Sequence, residues 1–237
     1  MNTVSNSAPG RGFWILTLLS VPLVGGVAYL QYSRVDKARS SGARSVPDDL
    51  PVIDAVPEFA LVDRDGRGVG LSDLRGKVWV ADLIFTRCRT TCPVMTSRML
   101  TLYDDLRKNK LDGVLCVSIS VDPEWDTPQR LREYTQSMGI DPARWLFLTG
   151  GKKEVRALAT TGLRLGMSDP PPGDDQVLHS TRYVLVDRQG RLRGYYSALT
   201  DDEELDSSQA ASDRELPEPT RTRLLADINR LLDEGDR

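Results

Sequence analysis

Two kinds of apolar run stand out along the 237-residue chain: one long and uncharged near the N-terminus, and several short ones farther on. From Gly12 to Leu30 there are 19 residues without a charge, about the length that crosses a bilayer core. Phe13, Trp14, Tyr29 and Tyr32 lie near its ends, where aromatic rings favour the water–lipid boundary. The expectation is a tail over 1–11 and an uncleaved membrane anchor over 12–30, since no small-x-small cleavage site follows the run. Only Arg11 precedes it, whereas Arg34, Lys37, Arg39 and Arg44 follow it. The positive-inside rule, taken literally, therefore places the remainder in the cytoplasm. Residues 31–53 are polar, lack periodicity and read as a flexible tether.

From Asp54 the pattern changes. Phe59–Asp63, a turn at Asp65-Gly66 and Gly68–Leu71 predict a β-hairpin. Val78–Phe85 (VWVADLIF) and Val114–Val121 (VLCVSISV) are nearly continuous apolar runs, as expected of strands buried on both faces of a sheet. Between them, Met95, Met99, Leu102 and Leu106 recur at helical spacing, with Pro93 suited to the first helical position. Thr127 and Pro128 begin another helix, with Leu131 and Tyr134 inward. Trp145–Leu148 reads as a strand, Lys152–Leu165 as a helix and 166–178 as a loop. Tyr183–Val186, a turn over 187–190 and Leu192–Tyr196 close with a hairpin. Alternating strands and helices give a parallel core and the last hairpin adds antiparallel strands. The fold class is α/β: a thioredoxin-like mixed sheet flanked by helices over 54–199, with an added N-terminal β-hairpin and one N-terminal transmembrane helix. Residues 200–219 read as an acidic flexible insert. Residues 220–237, with Leu224, Leu225, Ile228, Leu231 and Leu232, read as an amphipathic helix packed on the domain.

Composition agrees with one folded domain plus appendages: 40% apolar and 27% charged residues, with a formal net charge of −3. No basic excess or Lys/Arg cluster interleaved with aromatics points to nucleic acid, so that partner class is set aside. Three cysteines are too few for a disulfide scaffold.

Their placement carries the chemistry. Cys88 and Cys92 lie where a buried strand gives way to a helix, the sheet edge at which α/β sites form. Cys92 is expected at the helix N-cap, where free N–H groups and the helix dipole stabilise a thiolate, with Arg87 and Arg89 adding positive charge. The spacing is C-x-x-x-C, not the C-x-x-C of thioredoxin-type oxidoreductases. A peroxidatic site wants Thr three residues before the reactive Cys. Phe85 and Arg89 occupy those offsets, which weakens a peroxidase or peroxide-sensing reading. Cys116 sits mid-strand and reads as a buried apolar residue.

His179, the chain's single histidine, stands just before the Tyr183–Val186 strand, which in this layout neighbours the cysteine-bearing strand. Two thiolates and one imidazole make a soft three-coordinate set matched to Cu(I), able to accept Cu(II) with an added ligand. Zinc normally recruits a fourth protein ligand, and only Cys116 remains. Met95 and Met99 have the spacing of core residues. Asp122 and Asp126 read first as loop-shaping and capping residues, with a supporting or docking role as the competing view.

Three blocks, Phe85–Pro93 (FTRCRTTCP), Ser120–Pro128 (SVDPEWDTP) and Leu178-His179-Ser180 followed by Tyr183–Asp187 (YVLVD), resemble those of the SCO/SenC family. Leu71–Lys77 (LSDLRGK) also matches, so the resemblance spans roughly 54–200 in the right order. The resemblance implies a copper chaperone for cytochrome c oxidase assembly, with Cys88, Cys92 and His179 as copper ligands. It also implies a domain facing the periplasm or the mitochondrial intermembrane space, against the charge count around the anchor. The implied partners are the copper-site subunit of the oxidase, an unidentified copper donor, and the membrane through 12–30. Arg89-Thr90-Thr91 departs from a family that commonly carries an acidic residue between the cysteines. The competing reading is a thiol–disulfide oxidoreductase that reduces the oxidase cysteines with the same pair.

Overall fold

A computed structural model describes residues 50–140, 142–170, 172–173, 176–205 and 214–234. The expected tail, anchor and most of the tether lie outside them. Among the described residues no helix is long and apolar enough to cross a membrane.

The two apolar runs are the central strands. β4 (Val78–Ile84) and β5 (Val114–Ser120) are buried at all seven positions each and pair in parallel, with Val80 opposite Cys116 and Asp82 opposite Ser118. β6 (Trp145–Thr149) continues the parallel core beside β5. On the other flank β9 (Arg182–Val186) runs antiparallel to β4, and β10 (Arg191–Ser197) antiparallel to β9. Gly190, at φ +79°, takes the left-handed conformation their turn requires. The Asp187 carboxylate fastens the same turn by accepting from the Gln189 and Arg191 amides. β1 (Asp54–Ala55) borders β10, while β2 (Ala60–Asp63) lies antiparallel to both β6 and β3 (Gly68–Gly70). The sheet order is β1-β10-β9-β4-β5-β6-β2-β3.

Side chains alternate along β4 and feed two cores. Trp79, Ala81 and Leu83 pack with Leu71 and Leu74 of α1 (Leu71–Leu74) and with Val155 of α4 (Lys152–Ala157). Val78, Val80 and Ile84 pack with Met95, Met99, Leu102 and Leu106 of α2 (Thr91–Lys108), Leu131 of α3 (Pro128–Ser137), and Leu224, Ile228 and Leu231 of α6 (Thr220–Glu234). Thr127 caps α3 by accepting from the Arg130 amide, with Pro128 as its first residue.

Several local expectations are corrected. Residues 71–77, to which the pattern assigned no helix, contain the helical turn α1. The 152–165 helix ends early: after α4 the chain widens into a π turn over Leu158–Gly162, where Gly162 passes close to Pro57. Part of the stretch read as a flexible insert is fixed. Asp201–Leu205 forms a short helix, α5, because Glu203 grips Arg98, 1% exposed on α2, through two oxygens at 2.7 and 2.9 Å. Leu216 is buried near α6 and the Arg214 carbonyl accepts from Thr101. Residues 206–213 lie outside the described set.

Candidate metal centre

The site sits at the carboxyl end of β4. After Phe85 the chain turns, Cys88 N–H donating to the Phe85 carbonyl at 3.2 Å, and α2 begins at Thr91. Thr90 is the N-cap, so Cys92 and Pro93 are the second and third helical residues. Both stand deeper in the helix than their spacing suggested. The difference reverses the expected roles of the sulfurs. The helix-end N–H of Cys92 points at Cys88, donating to its Sγ at 3.4 Å, while Thr90 and Thr91 hydroxyls stand 3.8 and 3.9 Å from the same sulfur. A thiolate at this point meets helix-terminal N–H groups.

Cys88 is therefore the low-pKa member of the pair. A hydrogen bond from the Cys92 thiol, with the Cys92 amide and Thr90 adding to it, overcomes burial and brings Cys88 down to about 4. Cys92 goes the other way: it is 1% exposed, and burial, together with the neighbouring Cys88 sulfur, pushes its thiol well above the ordinary value. One sulfur is charged and the other keeps its proton. Arg87, expected to act on the thiols, is engaged by Asp122: its Nε donates to Oδ2 at 2.6 Å.

His179 reaches the pair from the opposite side. It lies on a two-residue strand, β8 (Leu178–His179), paired with β7 (Met167–Ser168) outside the main sheet. Its Nδ1 is 3.0 Å from the Ser180 carbonyl, its Nε2 is 3.2 Å from Cys92 Sγ, and its ring meets Phe85 edge-on at 5.7 Å. A carbonyl only accepts, so Nδ1 carries the ring proton and Nε2 turns its lone pair toward Cys92. Burial lowers the His179 pKa, which keeps the ring neutral and able to ligate.

The structure thus brings together all three candidate residues, with Cys92 as the link. Among the described residues no three His, Cys, Asp or Glu side chains stand ready-spaced as a metal cage; the trio converges pairwise. Its donor set is two sulfurs and one imidazole, all reduced or neutral, which fits a soft monovalent metal. Cys116 packs in the other core, fully buried, with its thiol pKa pushed up by burial. Met95 and Met99 are likewise core residues.

Asp126 ties this end of β4 to β5. Its carboxylate accepts from the Thr86 amide at 3.1 Å and from the Thr86 and Ser120 hydroxyls at 2.5 Å each. Together with Asp122–Arg87 it stitches the cysteine loop to the loop after β5, in accord with a loop-shaping role.

The SCO1/SenC family model matches residues 48–211. The chain belongs to the SCO1/SenC family. It is 35% identical over 159 residues to the SCO1 protein homolog of Bacillus subtilis (strain 168), covering 67% of this chain and 80% of that one. The solved structure of BsSco, described as a member of the Sco family of cytochrome c oxidase assembly proteins with a disulfide switch, aligns at TM-score 0.57. It is 32% identical and the alignment covers 69% of this chain and 98% of that one. Yeast Sco1 with copper bound aligns at TM-score 0.53 and 27% identity, covering 72% and 94%. The thioredoxin-like α/β class is thereby shown.

Two features of this SCO1/SenC chain escaped the sequence reading. Asp82, inside the β4 run, is fully buried and neither carboxylate oxygen has a hydrogen-bond partner. Burial outweighs the opposing pull of the Ser118 hydroxyl, opposite it on β5, and raises the Asp82 pKa to about 7; that hydroxyl also accepts from the Trp145 indole. A lone acid in an otherwise apolar run was the available signal. The second is Trp125, exposed beside the site and covered by Arg87 and Arg130.

Proposed function

We propose that this protein is a copper-binding metallochaperone that assists metallation of the binuclear copper site of cytochrome c oxidase, with Cys88, Cys92 and His179 as the copper ligands. The observation that carries the reading is the convergence on Cys92: its sulfur 3.2 Å from His179 Nε2 and its amide 3.4 Å from Cys88 Sγ. Copper bound to yeast Sco1 and the oxidase-assembly role of the BsSco family support it.

Copper is the cargo. The Cys88 thiolate presents a charged soft donor before any metal arrives. His179 presents a fixed lone pair, because its other nitrogen is bonded to Ser180. Cys92 must give up its proton to become the third donor, so loading releases a proton and strengthens as pH rises. A 430 Å³ cavity lined by Phe85, Cys88, Arg89, Leu178 and His179 opens onto the site, giving cargo and partner a route to Cys88.

The residues 12–30 are proposed as the single membrane anchor and 31–53 as its tether, holding the domain in the periplasm or mitochondrial intermembrane space. The stretch 200–219 is proposed as an acidic insert anchored at both ends, and 220–237 as a helix closing the domain.

The unequal cysteines favour a second use of the pair. The Cys88 thiolate can attack a partner disulfide, expelling one partner sulfur; Cys92, on losing its proton, then attacks Cys88 and releases the other. The partner gains two electrons and two thiols, and Cys88 and Cys92 end as a disulfide. His179→Ala separates the readings. Chaperone activity predicts that the purified full chain loses most of its bound copper while dithiol exchange persists; full copper stoichiometry in the variant overturns the ligand assignment.

A further inference from the structure

His179 is carried by a strand with few ties to the rest of the fold. β8 is two residues long and lies outside the main sheet, paired with the equally short β7. A 540 Å³ hollow lined by Met167, His179, Thr181 and Glu204 borders it, so packing does not fix the strand on that side. The ring nonetheless stands 3.2 Å from Cys92 Sγ on α2. Whatever ties residues 178–181 to α2 therefore sets the geometry of the site.

Two routes make that tie, and both start from Arg98, a buried residue of the helix that carries Cys92. In the first, Arg98 Nη1 donates to the Ala198 carbonyl at 2.7 Å, and the Ala198 amide donates to the Thr181 carbonyl at 3.0 Å. The second runs through α5. Glu203 grips Arg98 through both carboxylate oxygens, and Glu204, next in the chain, accepts from the Thr181 hydroxyl at 2.7 Å and the Ser197 hydroxyl at 3.3 Å. Thr181 lies just beyond His179, and Ser180 between them supplies the carbonyl that orients the ring. The contacts close a loop from Cys92 through His179, Thr181, Glu204, Glu203 and Arg98, and back along α2.

The two glutamates differ in what breaking them does. The Glu203–Arg98 pair is buried, so its loss threatens the fold. The Glu204–Thr181 bond is exposed and water competes for both partners, so it can open while the domain stays folded. We propose that Glu204, latched to Thr181 and anchored through Glu203, is a positioning residue for copper binding: it holds His179 against Cys92 and so sets how tightly the site keeps its metal. The proposal rests on the ligand assignment of the chaperone reading and gives the α5 turn a part in it.

The test is the Cu(I) affinity of the full-length chain in detergent micelles, measured by competition with a chromophoric Cu(I) chelator. Glu204→Ala is expected to weaken binding about threefold or more, the scale of one lost hydrogen bond. Thr181→Val is expected to do the same, and it carries the test where unfolding curves show that Glu204→Ala fails to fold. Glu204→Gln, whose amide oxygen still accepts from Thr181, is expected to bind as the wild type does. In a His179→Ala background Glu204→Ala is expected to add nothing, a non-additivity that general loosening of the fold does not produce. Folded latch variants that bind within about threefold of wild type overturn the proposal. So does a Glu204→Gln variant as weak as Glu204→Ala, or a loss from Glu204→Ala that persists without His179. A wild type whose affinity His179→Ala leaves unchanged overturns the ligand assignment itself.

Discussion

Cys92 and His179 are 87 positions apart in sequence, yet Sγ and Nε2 lie 3.2 Å apart. The contact joins a helix-borne thiol to a ring on a separate two-residue strand, and it requires both the β4–α2 junction and the β7–β8 pairing. The first consequence is a division of labour between the sulfurs. Cys88, at about 4, is expected to react with iodoacetamide at a rate nearly independent of pH down to about 5. Cys92, buried and protonated, is expected to lag by orders of magnitude. Mass spectrometry of briefly alkylated protein reads both; equal labelling would contradict the assignment.

Asp82 gives a pH signature with a definite sign. Its carboxyl titrates at 3.8 when unfolded and at about 7 when buried. The folded chain therefore holds the extra proton between those values. The stability this contributes is complete below pH 3.8 and is lost as pH rises through about 7, on the order of 4 kcal/mol at ~1.4 kcal/mol per pKa unit. Asp82→Asn is expected to remove that fall. Urea midpoints at pH 5 and 8 for both proteins test it, and parallel pH dependences would refute it.

Asp126→Ala leaves the Thr86 amide and the Thr86 and Ser120 hydroxyls without their acceptor. The expected loss is about 2–4 kcal/mol in guanidinium unfolding. The same variant is expected to slow Cys88 alkylation less than it lowers stability, because the bonds to Cys88 Sγ come from α2 and its cap.

Glu203→Ala strands the Arg98 guanidinium in the core. Breaking one side of a buried pair costs about 3–5 kcal/mol, against roughly 0.5 for a change in a loose surface segment. Unfolding measurements distinguish these values, and a shift near the smaller one would restore the view of 200–205 as mobile.

The central strands were legible because burial on both faces leaves unbroken apolar runs, as in β4 and β5. Cys88, Cys92 and His179 were legible as a set through residue chemistry and the order of elements. What was not legible depends on distant partners. The α5 turn exists because Glu203 meets Arg98, 105 positions away. β7 and β8 are two residues each, too short to leave a period. The N-cap fell on Thr90 because α2 gains two residues before Pro93, and that shift moves the thiolate from Cys92 to Cys88.

The central claim is that two sulfurs and one imidazole of this chain hold copper together. X-ray absorption at the copper edge of the Cu(I)-loaded, full-length protein tests it most directly. The account predicts two sulfur scatterers and one nitrogen scatterer, with the nitrogen lost in His179→Ala. A wild-type spectrum without the nitrogen, or one unchanged by the substitution, would contradict it.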